Sequence, residues 1–177
     1  MSLFYPSEYL DSTYKIDFKR FYEEGYRAVL FDVDNTLVPH DAPADERAKK
    51  LFKELQDMGF KCMLVSNNKE PRVKKFSEVV KADYIYKAAK PLPKNYRKVM
   101  EKFGTTPKNT IMVGDQIFTD IMGGNLAKMK TILVKPIHPK EEIQIVLKRI
   151  PEKVILFFYK IHCVLFRRNQ KQHRKEV

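Results

Sequence analysis

RAVLFDVDNTL, residues 27–37, is an apolar run that ends on two carboxylates. Strands of a parallel sheet covered on both faces read this way, because neither face alternates with solvent. Four more short apolar runs follow: KCMLVS at 61–66, DYIY at 83–86, TIMVG at 110–114 and TILV at 131–134. Between them apolar residues fall at helical spacing. Ala48, Leu51, Phe52 and Leu55 predict a helix over 44–58, with Asp41 and Pro43 as start signals and Gly59 as the stop. Further helices are expected over 71–80, over 93–103 with Gly104 at its end, over 117–128 where Gly123-Gly124 weakens it, over 140–150, and over 152–168 after Pro151. This alternation predicts an α/β fold, a doubly wound parallel five-stranded sheet. Residues 1–26 are expected to form a helical or irregular arm, 27–150 the sheet domain, and 151–177 a basic amphipathic helix and tail.

The chain of 177 residues suits one domain with a sizeable core. Lys and Arg number 34 against 22 Asp and Glu, a net charge of +12. Such an excess attracts polyanions: nucleic acid, anionic lipid headgroups or phosphorylated substrates. Over half of it lies from Lys135 onward, where 11 basic residues stand against 4 acidic ones. Cys62 and Cys163, the two cysteines, stand far apart and offer neither a disulfide framework nor a metal-ligand spacing. A reducing compartment and a cytoplasmic location are expected. The N-terminus has no basic start followed by an apolar run, so no secretory signal is read. The apolar stretch 154–166, interrupted by Lys160 and His162, is shorter than the ~20 residues a spanning helix needs.

Four clusters fall just after expected strands, and open parallel sheets bind ligands outside the carboxyl ends of their strands. Asp32 and Asp34 repel one another at a strand end, a cost that a divalent cation removes. Magnesium prefers such oxygens and bridges substrate phosphate, and a carboxylate can itself attack phosphorus. Ser66, Asn67 and Asn68 offer a hydroxyl, amides and backbone N–H groups to phosphate oxygens, although ordinary turn chemistry explains them as well. Lys90, before Pro91, offers a fixed positive charge. Asp115, after Gly114, offers a further oxygen ligand or a helix cap, and Asp120 follows it. His40 and Asp41 read chiefly as solvated loop residues.

These clusters resemble, in order, the four motifs of the haloacid dehalogenase-type phosphatases: DxDxT, then Ser/Thr, then Lys, then GDxxxxD. Here they read Asp32-Val33-Asp34-Asn35-Thr36, Ser66, Lys90, and Gly114-Asp115 through Asp120. FDVDNTLVP, SNN, the Lys-Pro step and GDQIFTDIMGGN further resemble the YqeG-type branch of subfamily IIIA, which is related to phosphatidylglycerophosphate phosphatases. The resemblance implies Asp32 as nucleophile and metal ligand. It implies Asp34 as general acid/base, with its backbone carbonyl on the metal. It implies Thr36 as support for the loop, Ser66 and Asn67 as phosphate binders, and Lys90 as the lysine that secures nucleophile and phosphate. Asp115 and Asp120 become metal ligands, and the metal Mg2+.

The family places its lid domains either after the first motif or between the second and third. Residues 37–61 and 68–90 have no room for one, so no separate cap domain is expected. An uncovered site suits a bulky phosphomonoester, above all a phospholipid headgroup such as phosphatidylglycerophosphate. Two other readings stay open: a phosphatase of nucleotides or nucleic-acid ends, and a non-enzymatic adaptor. Nucleic acid is disfavoured by the absence of a recognised binding module. In the C-terminal helix, Ile143, Leu147, Ile150, Val154, Phe157, Ile161 and Val164 form a stripe expected to pack on the core or on a second copy as a homo-oligomer. Ile155, Leu156, Phe158 and Leu165 fall off that stripe among Lys and Arg, which is the composition of a helix lying peripherally on an anionic membrane.

Overall fold

A computed structural model of the chain describes residues 2–138 and 151–165. The chain runs β1 (Glu8–Leu10), α1 (Phe18–Glu23), β2 (Ala28–Phe31), α2 (Glu46–Asp57), β3 (Lys61–Val65), α3 (Glu70–Val80) and β4 (Asp83–Ile85). It continues through α4 (Lys94–Phe103), β5 (Thr110–Gly114), a π-helical turn (Ile117–Ile121), α5 (Met122–Leu126) and β6 (Lys130–Val134) to helix α6 over 151–165. The helix expected over 140–150 lies outside the described residues.

The strands pair in parallel in the order β1-β6-β5-β2-β3-β4. The chain winds outward from β2 to β4, returns to β5 beside β2, and winds outward again. The switch point therefore lies between β2 and β5, where the doubly wound fold opens a crevice. The sheet has six strands rather than the expected five. The sixth is β1 from the arm, which pairs Glu8–Leu10 with Ile132–Val134. Its three residues are too short for a period to show, so tertiary pairing decides their state.

Every residue of β2 is buried, because helices cover both faces. Val29 and Phe31 pack with Phe52 and Leu55 of α2 and Phe76 of α3, whereas Ala28 and Leu30 pack with Val99 and Met100 of α4. The alternation along the strand feeds two separate cores. Helix α2 begins at Asp45, not at the expected Asp41 or Pro43, because the Asp45 carboxylate accepts the Ala48 N–H at 2.8 Å. Between β2 and β3 the chain holds one helix, and between β3 and Lys90 one helix and one short strand. No folded lid occupies either segment.

Helix α6 turns the described part of the expected stripe away from the core. Val154, Phe157, Ile161 and Val164 are exposed, with Phe157 at 60%. Ile155 and Leu156, which fall off the stripe, pack instead against Ile117, Ile121 and Leu133. The cause is polar: Glu152, on the same face as Ile155, Leu156 and Tyr159, is buried and accepts the Ile117 N–H at 2.7 Å. That bond fixes the rotation of the helix. No helix among the described residues is long and apolar enough to cross a membrane.

Phe31 and Phe52 are fully buried with ring centroids 5.1 Å apart. Phe52→Ala is expected to cost about 3–5 kcal/mol in urea denaturation, the range for emptying a packed aromatic site.

Candidate active site

Asp32 leaves the end of β2, and its N–H donates to Val113 O of β5 at 3.0 Å. Asp115 leaves the end of β5 one strand away. Parallel pairing of Phe31 with Val113 thus brings the two carboxylates to the switch point. Asp120 reaches the same place from the π-helical turn. It passes so close to Gly114 that a Cβ there would overlap its side chain. The turn is closed by the Asp120 Oδ2, which accepts the Gln116 N–H at 3.1 Å.

Lys90 enters from the loop after β4. Its Nζ lies 2.5 Å from Asp32 Oδ1 and 2.6 Å from Asp120 Oδ1, and all three side chains are buried. The Thr36 hydroxyl stands 3.1 Å from Asp115 Oδ1 and 3.5 Å from Asp32 Oδ2, bridging the two strand ends. The arm braces this loop, since Thr13 Oγ1 donates to Thr36 O at 2.8 Å and the Tyr14 hydroxyl to Leu37 O at 2.6 Å.

Burial pushes the Asp32 carboxyl from 3.8 up to about 7, a rise that Lys90 only partly offsets. Burial by itself would lower the Lys90 ammonium. The carboxylates of Asp120 and then Asp32 outweigh it, so Lys90 stays firmly charged. Lys90 is thus the shared counter-ion of Asp32 and Asp120. Tyr96, beneath the cluster, has its hydroxyl buried without a hydrogen-bond partner among the described residues, and burial raises its pKa.

Asp32, Asp115 and Asp120 each present a carboxylate oxygen within 4.8 Å of the others. Three carboxylates against the one ammonium of Lys90 leave a formal excess of two negative charges when all are ionised. Hard oxygen donors with that excess fit a divalent metal ion. The Asp34 carboxylate stands outside this trio. It pairs with Arg72 of α3, with Nη2 2.8 Å from Oδ1.

The remaining expected residues divide. Ser66 follows β3, and its Oγ accepts the Asn68 N–H at 3.1 Å. Asn67, expected to bind phosphate, also lines the cleft, and its side chain meets the Lys90 backbone: Oδ1 accepts the Lys90 N–H at 2.8 Å and Nδ2 donates to Lys90 O at 3.2 Å. It therefore clamps the lysine's backbone. His40 lines the cleft with Asp32, Asp34, Ser66, Asn68 and Lys90, around about 260 Å³ of space. Asp41 exposes its side chain but gives its N–H to Asp34. A larger crevice of about 1290 Å³ lies between the arm and α6, lined by Tyr5, Pro6, Tyr9 and Tyr159. The buried Asp32–Lys90 pair lines the smaller cleft, which makes that cleft the candidate site. Sequence reading missed Arg72, Glu152 and the Thr13–Tyr14 brace. Arg72 carried no local signal, because which face of α3 turns toward the cleft is set by the fold.

A parallel sheet with Asp32 and Asp115 leaving two adjacent strands at its switch point, and Lys90 between Asp32 and Asp120, is an α/β fold with a buried acidic site at the usual ligand position. The comparisons make the class specific. The family model for haloacid dehalogenase-like hydrolases matches residues 41–128. A probable phosphatase YqeG of Bacillus subtilis is 37% identical over 135 residues, which cover 76% of this chain and 78% of that protein. The chain belongs to the haloacid dehalogenase-like hydrolases and is a phosphatase of that family. A phosphatidylglycerophosphate phosphatase of Arabidopsis thaliana is 29% identical over 143 residues, covering 72% of this chain and 39% of that one. Among solved structures, the cobalt-bound deoxy-D-mannose-octulosonate 8-phosphate phosphatase of Haemophilus influenzae shares the fold at a TM-score of 0.51 and 17% identity, over 62% of this chain and 68% of its own.

Two measurements test the electrostatics. Lys90→Met leaves Asp120 buried without its main counter-ion, and should cost about 3–5 kcal/mol in urea denaturation with EDTA present. The raised Asp32 pKa means that the folded state keeps a proton the unfolded chain loses. Stability of the metal-free protein should therefore fall as pH rises from 3.8 to about 7. Asp32→Asn should flatten that part of a Tm-against-pH curve, and an unchanged slope would assign it to other groups.

Proposed function

We propose that this phosphatase hydrolyses a phosphomonoester on a phospholipid headgroup, with phosphatidylglycerophosphate as the leading candidate, through a phospho-aspartate on Asp32. The observation that carries this reading is the buried cluster of Asp32, Lys90, Asp115 and Asp120 beneath a cleft that no folded lid covers among the described residues.

In the first half-reaction a carboxylate oxygen of Asp32 bonds to phosphorus as the bond to the leaving alcohol breaks. Asp34 gives that alcohol oxygen its proton. In the second, Asp34 takes a proton from water, and the water oxygen bonds to phosphorus. The acyl-phosphate P–O bond then breaks, which releases phosphate and restores Asp32. Lys90 holds Asp32 in place and balances charge on the phosphoryl oxygens, and the Ser66 hydroxyl donates to one of them. Asn67 serves by fixing Lys90, and Thr36 by fixing the loop. Magnesium, held by Asp32, Asp115 and Asp120 with the Asp34 backbone carbonyl, would supply Lewis-acid neutralisation of the phosphoryl charge.

The lipid substrate is supported by the name of the Arabidopsis relative and by a cleft that the described residues leave uncovered. It is supported too by α6, which exposes Val154, Phe157, Phe158, Ile161, Val164 and Leu165 beside Lys153 and Lys160. A basic helix with that much exposed apolar surface suits the interface of an anionic membrane. Residues 151–177 would then form a peripheral anchor for a cytoplasmic enzyme.

A phosphate-release assay tests the substrate. Vesicles containing phosphatidylglycerophosphate should release phosphate with magnesium, and should release none with EDTA or with Asp32→Asn. Turnover of sugar phosphates or nucleotides with none on the lipid would overturn the lipid reading. Oligonucleotide-end turnover with steep salt dependence would favour nucleic acid instead. Loss of vesicle co-sedimentation in a Phe157→Asp, Phe158→Asp variant is expected, whereas loss of a dimer would assign that face to self-association.

A further inference from the structure

Arg72 lies on α3, outside all four motif clusters, yet its side chain is only 15% exposed. Its Nη2 donates to Asp34 Oδ1 at 2.8 Å, and its Nε reaches the same oxygen at 3.3 Å. The Asp41 N–H donates to that oxygen as well, at 2.9 Å. Asp41 aims this N–H from a left-handed backbone, with φ at 58°. Asp34 Oδ2 instead meets Asn68 Nδ2 across a longer 3.3 Å. Asn68, Asp34 and Asp32 share the wall of the cleft. Arg72 is itself held in place: its Cζ sits 5.7 Å from the ring centre of buried Phe76, and its Nε 3.8 Å from Asp41 Oδ1.

The two oxygens of Asp34 are therefore not equivalent. The terminal torsion of an aspartate is broad and nearly two-fold, so an unrestrained carboxyl presents either oxygen. Here three N–H groups converge on Oδ1. A proton placed on Oδ1 would point into those donors, whereas one on Oδ2 meets a single amide at the cleft. We propose that Arg72 is a positioning residue for the phosphatase reaction: with the Asp41 N–H it saturates Oδ1 and reserves Oδ2 as the oxygen that exchanges a proton with the leaving alcohol and with water. The inference rests on the acid–base role given to Asp34 above. Its energetic logic is orientation, since a carboxyl rotated out of line loses proton transfer while phosphate is still bound.

The alternative is that the ion pair merely ties α3 to the loop after β2. The leaving group separates the two. p-Nitrophenolate departs with little need of a proton, and an unactivated alkoxide does not. Single-turnover release of p-nitrophenol from p-nitrophenyl phosphate and of hexanol from hexyl phosphate isolates this step from attack by water. Asp34→Asn should slow hexyl phosphate far more than the aryl ester, by about 100-fold or more on the alkyl substrate. Arg72→Ala should slow the alkyl substrate about tenfold, change the aryl rate by much less, and leave KM within about twofold. In the Asp34→Asn background Arg72→Ala should change neither rate. Arg72→Lys keeps the charge with a single ammonium, should fall between, and carries the same comparison if the alanine variant does not fold. Equal losses on both esters, or a loss that persists in the Asp34→Asn background, would overturn the proposal and leave the pair structural. If Asp34→Asn itself shows no leaving-group dependence, the acid–base role fails and the Arg72 inference falls with it.

Discussion

The ammonium of Lys90 between Asp32 and Asp120 is the interaction around which the rest of the structure is arranged. Charged groups leave water only when they find partners at good geometry. A sheet covered by helices on both faces offers few places for that. Its strand interiors are apolar, and its polar side chains collect at the carboxyl ends. Each neighbouring element is shaped to meet this constraint. β2 and β5 pair so that Asp32 and Asp115 emerge side by side. Asn67 grips the Lys90 backbone at both its N–H and its C=O. Gly114 has no side chain, which is what lets Asp120 lie against it. The two cores on either side of the sheet hold these supports still.

Much of this was legible in the sequence because the chemistry is local to strand ends. A continuous apolar run followed by Asp-x-Asp marks a buried strand and its exit without reference to any other element. The same holds for Thr110–Gly114 before Asp115. Lys90 stood out by its place after an expected strand and before Pro91, but its partners, 58 and 30 residues away, could not be read locally. β1 stayed hidden for a different reason. Three half-buried residues carry no period, and the strand exists because the exposed edge of β6 accepts it. Arg72 looked like any cation on an amphipathic helix. Only the fold shows that α3 turns it back onto Asp34.

The stripe on the last helix shows how a spacing argument can be sound and still point the wrong way. Val154, Phe157, Ile161 and Val164 do share a face, and that face is apolar. But α6 has a second apolar face, with Ile155 and Leu156, and periodicity has no means of choosing between two. The choice falls to Glu152. An acidic residue in the first turn of a helix reads as a solvated charge placed for the helix dipole. Here it is buried, because the N–H of Ile117 at the head of the π-helical turn needs an acceptor.

That single bond joins two parts of the molecule with different tasks. Ile117 follows Gln116, which lines the cleft and closes the turn that carries Asp120. Glu152 opens the helix whose outer face carries six exposed apolar residues. The rotation that satisfies the Ile117 N–H is therefore the rotation that turns Phe157 and Phe158 outward. A helix satisfied by hydrophobic packing alone would have been free to bury its broader apolar stripe. The stripe is exposed because a backbone N–H beside the cleft is held by the opposite face. The polar demands of the site, not the apolar demands of the core, decide which surface this helix presents.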